Sequence, residues 1–392
     1  MQLQQLFSTR ALRMSWSPIE LVSKKIKGKE NIINFASGAP DPKLIPVEDI
    51  NKALYEIIEE GIEKTLEYPG TGGLIELRRK IREYLEFLGV NTSKREIIIT
   101  AGAQHALNII ANMFLNEKDL FIVENPTFIE AFLALKHYTQ KYRTIRVDDK
   151  GMVVGEIRKI VKEENVKLVY TIPTAHNPTG TIMSYERRKQ LIEICSEKDI
   201  VIVEDDPYRP IVNSKIESLT NMDKDGIVVY VGSFSKIIAP GLRIGYILAS
   251  RELVEKIEQL QQLDFATSTL SMYIMLKLFK YRTPYRTIEQ ASREYTERIK
   301  LLLDLLEDYM PSNTEWTKPK GGFYILLRTY GLNMTKLLDH ALREGVAYVP
   351  AQLFYIEKPD PRTARLSISR VNKEQIEKGI RILSNIIKQY ST

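Results

Sequence analysis

Apolar positions along the chain fall into two textures. From Glu96 onward, short continuous runs (IIIT at 97–100, LFIV at 120–123, KLVYTI at 167–172, IVIVE at 200–204, IVVYV at 227–231) alternate with longer stretches where apolar residues recur every three or four positions. Runs of that length without polar alternation fit strands buried on both faces, and the recurring stretches fit helices packed over them. The spacing predicts strands at 96–100, 119–124, 167–171, 200–204 and 227–231, with a further strand over Arg243–Ala249. Helices are predicted at 103–114, 127–137, 153–164 and 184–198, so strand and helix alternate as in a mainly parallel α/β sheet. Before this region, residues 1–30 read as a loosely anchored helical segment. Ile32–Pro46 reads as a strand running into a Gly/Pro loop, and helices are expected at 48–60 and 74–88 around the glycine-rich Tyr68–Gly73. After it, helices at 251–280 and 286–309 lead into strands at 321–327 and 364–369 and helices at 334–344 and 373–389, the texture of a smaller α+β domain.

Composition narrows the class without changing this picture. The chain has 392 residues, 44% hydrophobic and 27% charged, which is ample for a large core and suits two domains. Basic residues (56) barely outnumber acidic ones (50), and the two are interspersed, so the net charge of +6 argues against a nucleic-acid surface and for no more than a mild pull on anionic metabolites. The first sixteen residues hold no continuous apolar core, and no run reaches the length of a membrane span. With one cysteine, Cys195, no intrachain disulfide can form; a cytoplasmic setting is expected. Four histidines and one cysteine offer no metal spacing.

Candidate chemistry gathers at the predicted strand ends, the edge where open α/β sheets bind ligands. After 227–231 come Ser233, Ser235 and Lys236, and Arg243 follows seven residues later. Two hydroxyls and a guanidinium suit a phosphate, and a desolvated lysine beside another cation loses its proton readily and can attack a carbonyl. A lysine that forms a Schiff base next to a phosphate suggests pyridoxal phosphate. The S-x-x-K spacing of Ser233 and Lys236 also fits serine acyltransferases, but their S-D-N and K-T-G partners are missing. The other strand ends carry complementary groups. Ala103 and Gln104 open a helix whose free N–H groups could hold a phosphate, Phe128 offers a ring for stacking, Asn177 can donate to a phenolate, and Asp205 with Tyr208 can face a pyridine nitrogen and a ring oxygen.

In order, the stretches SGAPDP, EYPGTGG, TAGAQHAL, ENPTF, PTAHNPTG, EDDPY, GSFSKIIAPGLRIGY, GGFYILLR and ARLSIS cover nearly the whole chain. Together they resemble the fold-type I pyridoxal phosphate-dependent aminotransferases of class I/II, in the branch with 2-aminoadipate, kynurenine and archaeal aromatic aminotransferases. The resemblance implies that Lys236 carries the cofactor, Asp205 pairs with its pyridine nitrogen, and Asn177 and Tyr208 bond its ring oxygen. It implies that Ser233, Ser235, Arg243 and the Ala103–Gln104 backbone hold the phosphate and that Phe128 stacks on the ring. Arg365 would clamp the substrate α-carboxylate, with Asn177 and Gly38 beside it. A homodimer with composite sites is implied too, Tyr68 reaching the neighbouring subunit's phosphate. Ala103 and Phe128 depart from the hydroxyl residue and tyrosine usual there, which bears on cofactor affinity rather than on the reaction.

The implied domains are an N-terminal segment at 1–45 packing over the site, a large cofactor-binding domain at 46–285 and a small domain at 286–392. The expected reaction moves an amino group from an aromatic amino acid or 2-aminoadipate to a 2-oxo acid, 2-oxoglutarate in the first instance. A lyase or synthase on the same fold is the alternative. A ligand-sensing regulator would carry a DNA-binding domain ahead of this fold, and about thirty residues before SGAPDP are too few for one. In the N-terminal segment Arg10 and Arg13 stand among Leu6, Phe7, Leu12, Met14 and Trp16, so the segment is expected to read either an acidic or an aromatic side chain, with Arg13 meeting a distal carboxylate.

Overall fold

The structure, a computed structural model, describes residues 3–29, 31–264 and 267–391. In chain order its strands are β1 (Ile33–Asn34), β2 (Arg95–Thr100), β3 (Leu120–Asn125), β4 (Tyr142–Asp148), β5 (Gly151–Met152), β6 (Val166–Thr171), β7 (Val201–Asp205), β8 (Val228–Ser233), β9 (Gly245–Ser250), β10 (Thr314–Trp316), β11 (Tyr324–Thr329), β12 (Val346–Ala347), β13 (Val349–Pro350) and β14 (Thr363–Ser367). An eight-stranded sheet runs β2-β9-β8-β7-β6-β3-β4-β5. From β8 to β4 neighbouring strands are parallel, whereas β9 is antiparallel to both β2 and β8, so β2 points the same way as β8. The carboxyl ends of β2, β3, β6, β7 and β8 therefore share one edge.

These strands form because their side chains are buried on both faces: every residue of β8 is buried, as are all but one each in β2, β3, β6 and β7. One face packs into the main core with Ile98, Phe121, Tyr170, Val203 and Val229; the other holds Ile122, Ile145, Val169, Ile202 and Cys195. Cys195 is thus an apolar filler, and burial pushes its thiol well above the usual range.

Two expectations need correction. The helix predicted over 251–280 is two helices, Arg251–Gln261 and Thr269–Lys280, because Ser268 caps the second by accepting from the Ser271 N–H at 3.4 Å. The structure adds a strand at Tyr142–Asp148, where no continuous apolar run marks one. It lies next to the sheet edge, where only Ile145 is fully buried and the charged Arg143, Arg146 and Asp148 break up the apolar run.

A second, antiparallel sheet of order β10-β11-β14-β13 stands with helices Thr283–Tyr309, Met334–Arg343 and Lys373–Tyr390. The N-terminal residues tie in beside it: β1 and β12 form a separate two-stranded parallel sheet, Ile33 against Val346 and Asn34 against Ala347. The Ser367 N–H continues the tie by donating to Phe35 O at 2.8 Å. No described helix is long and apolar enough to cross a membrane.

Candidate active site

Lys236 follows β8 in a short 3-10 turn, Phe234–Lys236, started by Ser233, whose Oγ accepts the Ser235 N–H at 3.1 Å. Its Nζ donates to Gly38 O at 2.9 Å, bringing the SGAPDP loop to the sheet edge. Gly38 permits this approach, since a Cβ there would lie 2.9 Å from the Tyr324 hydroxyl. Removal from water, helped by the charges of Arg365 and Arg243 and opposed by Asp205 and Glu130, brings the ammonium down from 10.5 to about 8. The neutral amine therefore becomes the major form as the pH rises through about 8.

Asp205 ends β7 and Asp206 follows it, so strand alternation sends their side chains to opposite faces. Asp206 pairs with Arg209, and its charge acts on Tyr230 and Tyr246. Asp205 turns to the cleft, where its Oδ2 accepts from the Tyr170 hydroxyl at 2.7 Å and its buried Oδ1 has no partner among the described residues. Burial pushes this carboxyl up to about 7, against the Tyr170 bond and the charge of Lys236. A buried acceptor left open costs stability unless something fills it, and an N–H donor carrying positive charge would meet both needs.

Arg365 lies on β14 and is buried. It donates to Asn177 Oδ1 at 3.1 Å and to Ala36 O at 2.7 Å, while its plane stacks between Tyr324 and Phe354 at 4.5 and 4.8 Å. Its Nε is buried without a partner among the described residues, so the fork keeps a donor for a carboxylate. The Asn177–Pro178 and Asn125–Pro126 peptides are both cis. Tyr208 sits beneath Lys236, 5.6 Å from ring centre to Nζ, and shares a 3.0 Å hydrogen bond with the Tyr324 hydroxyl.

The anion cradle forms where β2 turns into the helix Ala103–Phe114. Its cap is Gly102 at φ +83°, with no side-chain cap bond to the first N–H groups. A Cβ there would stand 2.5 Å from Arg243 Nη2, which donates to Ala101 O at 3.1 Å, so only glycine lets the guanidinium cross the helix start. Open N–H groups of Ala103 and Gln104, the positive end of the helix and Arg243 suit a phosphate, and Ser233 and Ser235 flank Lys236 on the adjoining turn. Half-buried Phe128 caps the helix Ile129–Lys136 and can present its ring to a planar ligand. Together with the open Asp205 Oδ1, these groups fit pyridoxal phosphate at phosphate, ring face and ring nitrogen. Among the described residues, no group of three or more His, Cys, Asp or Glu could hold a metal.

Three of the expected residues lie away from this cluster. Tyr68 is 83% exposed. Arg13 pairs with Glu117 at 3.1 Å, and Arg10 stacks on Tyr138 at 5.5 Å, both beside the far end of the helix Ile129–Lys136. Conversely, Tyr170, Tyr324 and Glu124 belong to the site without having been among the expected residues, Glu124 holding the loop after β6 through Thr171 Oγ1 at 2.6 Å and the Ile172 N–H at 2.9 Å. Tyr324 had a signal in GGFY. The other two read as strand interior.

The model of the family "Aminotransferase class I and II" matches residues 30–383. Aromatic-amino-acid aminotransferase 1 of Thermococcus litoralis is 36% identical over 98% of this chain and 94% of its own length. The crystal structure of a Pyrococcus horikoshii kynurenine aminotransferase, solved with pyridoxamine phosphate, superposes with a TM-score of 0.94 at 35% identity over 100% of this chain and 99% of the other. The α-aminoadipate aminotransferase of Thermus thermophilus, complexed with a phosphopyridoxyl-leucine, gives 0.90 at 30% identity over 100% and 99%.

Proposed function

Because the chain belongs to the aminotransferase class I and II family and is a pyridoxal phosphate-dependent transaminase of amino acids, we propose that its donors are aromatic amino acids or 2-aminoadipate and its acceptor 2-oxoglutarate. The observation that carries the site assignment is the convergence of Lys236, the open oxygen of Asp205 and the open donor of Arg365 in one cleft. Bound there, pyridoxal phosphate supplies a carbonyl for the amine and an electron sink for the charge left when the substrate Cα loses its proton. Arg365 orients the substrate by its α-carboxylate, bidentately and beside Asn177. Lys236 Nζ, which needs little driving to be neutral, would take the proton from the substrate Cα and hold it for return within the same half-reaction. Asp205 keeps a fixed negative charge at the ring nitrogen, and Tyr208 and Asn177 hold the ring oxygen. Arg243, Ser233, Ser235 and the Ala103–Gln104 N–H groups fix the phosphate end, so that Lys236 and Arg365 act on a substrate of fixed orientation.

To test this, each amino acid is added singly to the loaded enzyme while the cofactor absorbance is followed. Each active donor is then paired with 2-oxoglutarate and both products are quantified. Equal amounts of 2-oxo acid and new amino acid are expected; product without stoichiometric transfer would point to lyase chemistry.

We take 1–45 as a segment over the site, 46–285 as the cofactor domain and 286–392 as the small domain, in a cytoplasmic homodimer without nucleic-acid or membrane partners. Exposed Leu66, Tyr68 and Leu263 (72, 83 and 78%) support a face covered by a second copy. With Tyr68 reaching the neighbouring phosphate, mixing Lys236→Ala with Tyr68→Phe dimers should restore part of the activity through hybrids holding one intact site. Absence of recovery after subunit exchange verified by mass would exclude shared sites.

Arg13 reads the distal carboxylate of acidic substrates in this scheme. Leaving Glu117 is cheap, because an exposed ion pair contributes no more than about 1 kcal/mol. Arg13→Ala should raise KM for 2-aminoadipate about tenfold, the effect of one charged hydrogen bond, and leave that for phenylalanine unchanged. Equal shifts in both would show that the segment does not read side chains.

A further inference from the structure

One acidic group in the cleft has no task in the reaction above. Glu130 lies two residues beyond Phe128, in the first turn of the helix Ile129–Lys136. Its Oε1 accepts from Ser17 Oγ at 2.7 Å, so the N-terminal segment closes over it, and its backbone carbonyl accepts from Gln104 Nε2 at 3.0 Å. Oε2 is buried without a hydrogen-bond partner among the described residues. Its charge is felt by three groups of the cleft, Lys236, Arg365 and Tyr324. Burial holds the carboxyl above its ordinary range, against Ser17, its own backbone and the two cations. An open buried acceptor is destabilising and makes sense where a ligand completes it.

Resting on the transaminase reading and deepening it, we propose that Glu130 reads the far end of the substrate side chain: its open Oε2 accepts a hydrogen bond from a side chain ending in O–H or N–H, such as a phenol, indole or aniline, and repels one ending in a carboxylate. A site built to hydrogen-bond one group discriminates strongly, because the analogue lacking that group leaves the buried partner unpaired. Repulsion between carboxylates in a poorly solvated pocket works in the opposite sense. Glu130 and Arg13 then divide the task. Arg13 comes in from outside to draw a diacid, and Glu130 opposes it from within, so 2-oxoglutarate binds with a handicap that tyrosine and tryptophan do not meet.

The test uses the holoenzyme and three unreactive carboxylates, 3-(4-hydroxyphenyl)propionate, 3-phenylpropionate and glutarate, titrated calorimetrically. The hydroxyl should tighten binding roughly tenfold over the plain phenyl compound, and glutarate should bind weakest. Glu130→Gln keeps the shape and adds a donor, so glutarate should tighten roughly tenfold while the hydroxyl preference shrinks. In Glu130→Ala the hydroxyl preference should vanish. Equal shifts for all three ligands, or none, overturn the proposal. If the ranking responds but no donor transfers its amino group, the transaminase reading fails and the role of Glu130 stands; if transfer runs and the ranking does not respond, the role of Glu130 alone fails.

Discussion

Lys236→Ala should give a folded protein that still takes up pyridoxal phosphate but has lost turnover by at least on the order of 10⁴-fold, the range associated with removing a positioned acid–base group. The Arg243 cradle, the helix start at Ala103 and Asp205 are untouched, so binding persists, held by charge and stacking alone. What is lost is an amine whose Nζ lies inside the cleft, 2.9 Å from Gly38 O and brought down to about 8 by burial and neighbouring cations. Two measurements check it. The visible absorbance of the lysine-linked cofactor should be absent from the variant, and borohydride treatment of the parent enzyme followed by peptide mapping should label Lys236. A label on a different lysine would move the site.

Asp205→Asn and Asp206→Asn should separate cleanly, although the residues are neighbours and both are buried. Removing the charge of Asp205 leaves Tyr170 its partner atom but takes away the anion that keeps the ring nitrogen protonated. Turnover should fall by roughly 10³-fold or more, with little change in melting temperature. Asp206 faces Arg209 on the other side of the strand, with Glu204 3.9 Å from the same guanidinium. Its substitution leaves a buried cation short of charge, which costs up to about 3–5 kcal/mol of stability, while kcat stays within a few-fold. Parallel thermal melts and steady-state rates check both. A crippled Asp206→Asn beside a mild Asp205→Asn would reverse the register.

The sheet was legible because strands such as LFIV and IVVYV, buried on both faces, show continuous apolar runs that few other arrangements produce. Tyr142–Asp148 is hard to read because, next to the sheet edge, it is fully buried at one position only, Ile145. The split between Gln261 and Thr269 escaped because apolar periodicity does not register a capping serine. At the site, Lys236, Asp205, Asn177 and Arg365 could be named because the turns that carry them have strong local signatures. Glu130 had none. It is one acidic residue in a short, mostly apolar helix, and only folding brings Ser17, 113 positions away, onto one of its oxygens and leaves the other open. Tyr170 was hidden likewise, since a tyrosine in a buried strand reads as packing until the carboxylate opposite is known.

The stretch from Ile33 to Gly38 works as a ruler. Ile33 and Asn34 are in register with Val346 and Ala347, Phe35 O takes the Ser367 N–H, Ala36 O takes Arg365, and two residues on Gly38 O takes Lys236. Five attachments within six residues, to β12, to β14 and to the lysine, leave no slack, so one added or deleted residue would shift every later carbonyl off its donor and turn Arg365 or Lys236 loose. The described residues before position 29 have no comparable ladder, so length changes ahead of Arg13 should be absorbed. Among related chains the spacing from this strand to the Gly38 loop is therefore expected to be invariant while the leader ahead of it varies freely in length.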